Sequence, residues 1–168
     1  AQLDEFRSMT GDVNVFISEY SVDQWRMPAK SDVIHHSVDS ELFQPVEVEK
    51  QEKVLSVVNE FVDRDYCCNY QGWARIKESF NNEVDFKVVG TCSKGLAKPA
   101  ESLDALVKEY CAASVFLNTS TVSPVPTSLL EAMSCGCAVV STATCMIPEI
   151  IKNGENGYCS NDESELAF

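Results

Sequence analysis

A length of 168 residues suits one domain with a real core and a smaller appendage. Hydrophobic residues make up 45% of the chain, which argues against disorder, and a net charge of −13 argues against nucleic acid or an anionic membrane surface as a partner. No apolar run is long enough for a transmembrane segment, and the opening AQLDEFRSM lacks the apolar stretch of a signal peptide.

In chain order, residues 1–10 read as the end of a helix. Val13 to Ile17 has a strand pattern, Ser18 is a plausible N-cap for a helix through Trp25, and Asp32 to His36 is a second short strand. Alternation along that strand would send His35 and His36 to opposite faces, so they read as connector residues. The polar, acidic QPVEVEKQEK reads as a linker. The expected organisation is therefore 1–44, a linker at 45–53, and a domain at 54–168.

That domain opens with the apolar run Val54–Val58, of the kind buried in parallel sheets. A long loop, NEFVDRDYCCNYQGW, leads to a helix with Trp73, Ile76 and Phe80 on one face. Phe86–Gly90 is a strand with a glycine turn, and the polar loop TCSKGLAKPAES after it lacks the spacing of a phosphate-binding P-loop. A helix over Glu101–Tyr110 puts Leu103, Leu106, Val107 and Tyr110 on one face, and Ser114 to Asn118 is the next strand.

The most informative stretch follows, SPVPTSLLEAMSCGCAVVSTATCMIPEIIKNGENG, from Ser123 to Gly157. Val125 precedes a proline and is pushed away from helical angles, while Pro126 suits the first helical position. The helix runs through Leu129, Leu130 and Met133 and stops near Gly136. Its start offers the backbone N–H groups of Thr127 and Ser128, two hydroxyls, and about half a positive charge from the helix dipole. This is an anion site suited to phosphate, with Glu131 one turn on to accept hydrogen bonds from hydroxyls of the same ligand. Ser128-Leu-Leu-Glu131 also fits the S-x-x-E capping box, in which Glu131 would only satisfy a backbone N–H; spacing alone leaves both readings open. A strand at Val139 and Val140, two Asn-Gly turns and a last strand at Tyr158 and Cys159 complete the pattern, and Asn161–Phe168 begins like a capped acidic helix.

The eight cysteines are adjacent at 67 and 68, paired around Gly136, or scattered through expected core segments. They contain no pair of C-x-x-C units, and the two histidines adjoin each other, so no metal is expected. They read as reduced thiols serving as small hydrophobes in a cytoplasmic protein. Strands and helices alternate over 54–168, giving an α/β, Rossmann-like doubly wound fold with a mostly parallel sheet and ligand at the carboxyl ends of the strands. Loops 59–66, 119–128 and 142–148 all follow strands.

LLEAMSCGCAVVSTATCMIPEIIKNGENGY resembles the donor-site segment of family 4 glycosyltransferases, retaining enzymes of the GT-B fold. The shared pattern is an EAMA-type helix containing Glu131, a valine-rich strand, a P-E-I-I helix and an N-G-x-N-G turn. DVIHHSVDSELFQP resembles, more thinly, the connector out of the N-terminal domain, with Val38, Asp39, Leu42 and Phe43 matching and Ser37 in place of glycine. The resemblance implies that 54–168 is the donor half of a GT-B enzyme, truncated in its last helix, and that 1–44 is a remnant of an otherwise missing N-terminal domain carrying the acceptor site. It further implies transfer of a sugar from a nucleotide-sugar donor to a hydroxyl, with retention and without cofactor or metal. Glu131 would hold the ribose, and the N–H groups of Thr127 and Ser128 would meet the diphosphate.

Departures from the pattern matter equally. Ser123 stands where the family has an acidic residue against the transferred sugar, and serine cannot stabilise positive charge there. Asn59 and Arg64 stand where an arginine and a lysine usually hold the diphosphate; Arg64 keeps the charge and adds a bidentate fork, unless it pairs with Asp63 or Asp65 instead. A strand common between the Gly90 strand and the next helix is missing, and Thr142–Met146 replaces a glycine-rich turn. This chain alone is therefore expected to bind donor weakly and to turn over nothing. The alternatives are a non-catalytic nucleotide-sugar-binding or regulatory module, and a different doubly wound nucleotide fold. The absence of G-x-G-x-x-G after the Val54 strand counts against a dinucleotide site.

Overall fold

The computed structural model describes residues 2–92, 94–123 and 126–167, so the expectation for Val125 lies outside the described residues. The chain forms two units, Ala1–Ser37 and Val38–Phe168. In the first, helix α1 (Gln2–Ser8) is followed by strand β1 (Asn14–Phe16), helix α2 (Glu19–Trp25) and strand β2 (Ser31–Val33). The two strands pair in parallel, Asn14 opposite Ser31 and Phe16 opposite Val33. α2 starts at its expected cap, where Ser18 Oγ accepts from Ser21 N at 3.0 Å, and it ends on a left-handed Arg26. β2 stops three residues short of His36, because its three-residue partner β1 offers no further rungs. His35 and His36 are exposed and belong to no strand, so the alternation argument does not apply to them.

The second unit contains β3 (Gln51–Val57), α3 (Asp65–Cys68), α4 (Tyr70–Ser79), β4 (Asp85–Val89), α5 (Leu103–Ala112), β5 (Ala113–Asn118), α6 (Thr127–Ser134), β6 (Ala138–Ser141), α7 (Ile147–Ile150) and β7 (Tyr158–Cys159). It closes with a 3-10 turn at Glu163–Leu166 where an α-helical start was expected. All five strands are parallel, in the order β4-β3-β5-β6-β7. Side chains alternate across the strands, so both faces carry apolar residues, as parallel sheets require. Leu55, Phe116 and Val139 face a cluster that includes Val107, Tyr110, Leu129 and Ile147. Leu117 and Val88 face a second cluster with Phe61, Trp73 and Ile76. In that second layer Trp73 Nε1 donates to Ser56 Oγ at 3.1 Å, and Ser56 Oγ donates to the Leu117 carbonyl at 2.7 Å, so the buried polar atoms are paired.

Three local outcomes refine the sequence reading. β3 begins at Gln51, inside the stretch read as linker, because Lys53 is carried into the sheet by an ion pair with Glu109 at 3.0 Å. The loop after β3 contains the single-turn helix α3, joined to α4 through a left-handed Asn69 whose Oδ1 caps Gly72 N at 3.0 Å. Between β4 and α5 the described residues form no strand, only a single parallel bridge from Val89 to Lys98, and β4 is the sheet edge.

Candidate functional site

The order of the strands sets where a ligand can sit. The chain leaves β3 for β4 on one side and then crosses to β5 on the other, which opens a crevice at the carboxyl ends beside β3. A cleft of about 550 Å³ lies there, lined by the end of β3 (Val58, Asn59), the end of β4 (Gly90), the start of α5 (Ser102) and the first turns of α6 (Thr127, Ser128, Glu131).

The floor of the cleft depends on a close backbone approach. Val58 N donates to the Val89 carbonyl at 3.0 Å, and Glu60 N donates to the Thr91 carbonyl at 2.7 Å. Asn59 Oδ1 accepts from Thr91 N at 3.0 Å, so this side chain ties the two loops together. Gly90 has φ of +145°, and a Cβ there would collide with the Val58 carbonyl; only glycine allows this turn.

On the opposite wall, α6 begins at Thr127, with Pro126 as an extended N-cap (φ −73°, ψ 104°), one residue later than expected. Proline has no capping side chain, and Ser128 falls inside the helix, so the S-x-x-E capping box does not form. Residues three and four apart share a helix face, which brings Thr127, Ser128 and Glu131 to the cleft together. Glu131 takes a partner from α5 instead: Tyr110 Oη donates to Glu131 Oε2 at 2.7 Å. Tyr110 is fully buried, and burial, reinforced by the neighbouring Glu131, pushes its phenol far above the ordinary range, so it stays protonated as a donor. The sequence placed Tyr110 only on the apolar face of its helix. The contact depends on how α5 and α6 pack, and nothing local in the sequence signals it.

Arg64 and Ser123 do not line this cleft. Arg64 is exposed at the start of α3, where its Nη2 lies 3.7 Å from Cys67 Sγ. Asp63 pairs with Lys94 at 3.5 Å, and Asp65 Oδ1 accepts from Gln71 N at 2.8 Å. Ser123 is half-buried on the loop after β5. That loop is fastened to α3, since the Cys67 carbonyl accepts from Thr121 N at 2.9 Å and Val122 N at 3.3 Å. The loop after β6 joins the same assembly: Thr142 Oγ1 and Thr144 Oγ1 both donate to the Ser120 carbonyl, at 2.5 and 2.8 Å. Two threonines thus act as a clasp, with Cys145 in a left-handed conformation at φ 52°. All eight cysteines are free thiols. Burial pushes the Cys137 thiol up to about 11 and, together with Cys111, the Cys135 thiol to about 12, so neither is a thiolate at neutral pH.

Among the described residues lining the cleft, Glu131 is the only charged one. The described residues contain no group of three His, Cys, Asp or Glu side chains that could hold a metal ion. They also contain no helix long and apolar enough to cross a membrane.

Comparison with known proteins adds a family to this geometry. A search of curated proteins finds no match to the sequence. Among solved structures, a sucrose-phosphate synthase from Thermosynechococcus elongatus superposes with a TM-score of 0.72 at 18% identity, over 99% of this chain and 50% of that one. HepE from Anabaena, solved in complex with UDP-glucose, superposes at 0.66 with 15% identity, over 97% of this chain and 54% of the other. The C-terminal domain of LpcC, a glycosyl transferase group 1 family protein from Francisella tularensis, gives 0.55 at 18% identity, covering 78% and 84%. The chain spans about half the length of the first two, and its parallel sheet has the architecture of a GT-B C-terminal domain. A profile described as Glycosyl transferases group 1 matches residues 70–168, from the first residue of α4 through the Glu131 helix and beyond; by that match the chain belongs to the glycosyl transferases group 1 family.

Proposed function

We propose that this chain is the donor-binding portion of a retaining glycosyltransferase that moves a sugar from a nucleoside-diphosphate sugar to a hydroxyl acceptor. The observation that carries the reading is the convergence of Glu131, Thr127 and Ser128 on a cleft at the crevice beside β3, facing Asn59 and Gly90. In this reading the ribose hydroxyls donate to Glu131, and the diphosphate meets the α6 start, where N–H groups and the helix dipole favour negative charge. As the bond from the sugar carbon to the diphosphate breaks, the departing oxygen gains charge that those donors stabilise. Arg64 would add a cation by turning from Cys67 Sγ, a weak partner, towards the diphosphate. The acceptor pocket belongs to an N-terminal domain beyond these residues, so the portion alone is proposed to bind donor without turnover.

A second reading, a nucleotide-sugar-binding or regulatory module, is favoured by two observations. Asn59 has its side-chain carbonyl committed to Thr91, and the residue eight before Glu131 is the neutral Ser123. Calorimetric titration with UDP, GDP and ADP, repeated on Glu131→Ala, tests donor binding. One diphosphate is expected to bind, and the substitution is expected to weaken it about tenfold. Turnover after joining to an N-terminal acceptor domain would support the enzyme reading, and binding without turnover the module.

A further inference from the structure

Tyr110 stands behind the cleft rather than in it. Its ring is fixed on two sides, edge-on to Phe43 with centroids 6.2 Å apart and tilted against Phe116 at 5.9 Å. The residue has no exposed surface, yet its hydroxyl reaches Glu131, which lines the cleft. A buried phenol without a partner is unfavourable, so the fold holds this contact whether or not ligand is bound. The consequence falls on Glu131. A glutamate has three rotatable side-chain bonds, and ordering them at the moment of binding would weaken affinity. A carboxylate offers about four acceptor positions, and Tyr110 occupies one of them on Oε2, which leaves the rest for a ligand while fixing the direction in which they point.

We propose that Tyr110 is a positioning residue that pre-orients Glu131, and that the pair together selects a ligand carrying a vicinal diol, such as a ribose, over one that lacks it. This inference rests on the proposed role of Glu131 in the donor cleft. It predicts a signature that packing alone does not produce: loss of Tyr110 Oη should erode discrimination between diol and deoxy ligands rather than binding as a whole.

The test is ligand-observed NMR titration of the chain with UDP, GDP and ADP, each against its 2′,3′-dideoxy form, on the unaltered protein and on Tyr110→Phe. Phenylalanine keeps the ring contacts with Phe43 and Phe116, and the dideoxy affinity serves as an internal control for folding. The expected result is that Tyr110→Phe weakens the ribonucleotide about five- to tenfold and leaves the dideoxy form unchanged. In a Glu131→Ala background the same substitution should then have no further effect on the ribonucleotide. Equal weakening of both ligands, or no weakening of either, would overturn the positioning role while leaving the donor reading intact. If the unaltered chain binds ribo and dideoxy forms equally, the role of Glu131 itself fails, and if it binds none of the six at millimolar concentration, the donor cleft fails with it.

Discussion

At Gly90 the backbone runs through φ +145° directly beneath the Val58 carbonyl, and the two strand ends that floor the cleft meet there. Gly90→Ala adds a methyl group to an occupied space and a side chain to a conformation that L-residues rarely adopt. It is expected to destabilise the fold by about 1–3 kcal/mol, read as a lower urea midpoint with an unchanged slope. This glycine was legible in the sequence as the turn after a strand, because a lone glycine closing an apolar run has few other uses. The place of Glu131 one turn into α6 was legible too, although spacing alone left its role open between a ligand contact and a capping box. Tyr110 was not: helical periodicity reports which face of α5 is buried, but not that one buried ring carries its hydroxyl to a carboxylate 21 residues away.

Elements were easier to find than to bound. The apolar run from Val54 marks β3, and the strand starts three residues earlier because Glu109 neutralises Lys53, a partnership separated by 56 residues. α3 was hidden in DRDYCC, which is too short and too polar to show a period. For α6 the sequence left two roles for Ser128, and the structure separates them. As a residue inside the first turn rather than a cap, Ser128→Ala is expected to change stability by less than about 0.5 kcal/mol, where loss of a true cap would cost about 1 kcal/mol; thermal unfolding distinguishes the two. Glu109 joins α5 to two strands through Lys53 and, at 2.5 Å, through Lys87. Burial draws its carboxyl upward, but the hydrogen bonds from Lys87 and Lys53 outweigh it and hold it below the ordinary range. A carboxylate depressed in the folded state contributes stability above its unfolded pKa and loses that contribution as pH falls through its folded value. Unfolding curves should therefore show stability declining below about pH 4, with a shallower decline in Glu109→Gln.

At the scale of the molecule, alternation of strands and helices was enough to indicate a parallel sheet, since few other arrangements bury such strands on both faces, and the candidate cleft lies at the carboxyl ends. The division into two units was less legible, because the connector pattern places Val38 to Phe43 with residues 1–44, whereas Phe43 is buried in the core of the unit that starts at Val38. Net charge acts at this scale as well. A net charge of −13 opposes a diphosphate overall, and among the described residues lining the cleft the one charge is also negative. Raising ionic strength from about 0.02 to 0.15 M shortens the reach of that field, so affinity for a nucleoside diphosphate should rise. A steep fall, measured by the same titration, would mean that a local cation such as Arg64 dominates binding. The three loops at the carboxyl ends carry one more consequence. Two backbone carbonyls, those of Cys67 and Ser120, collect four of the donors that fasten them, and the Cys68 carbonyl accepts a further one from Thr119 Oγ1 at 3.0 Å. A segment so joined opens as one cooperative unit, so the amide protons of Thr121 and Val122 should exchange with deuterium at a common rate, and Thr142→Val together with Thr144→Val should speed both of them equally.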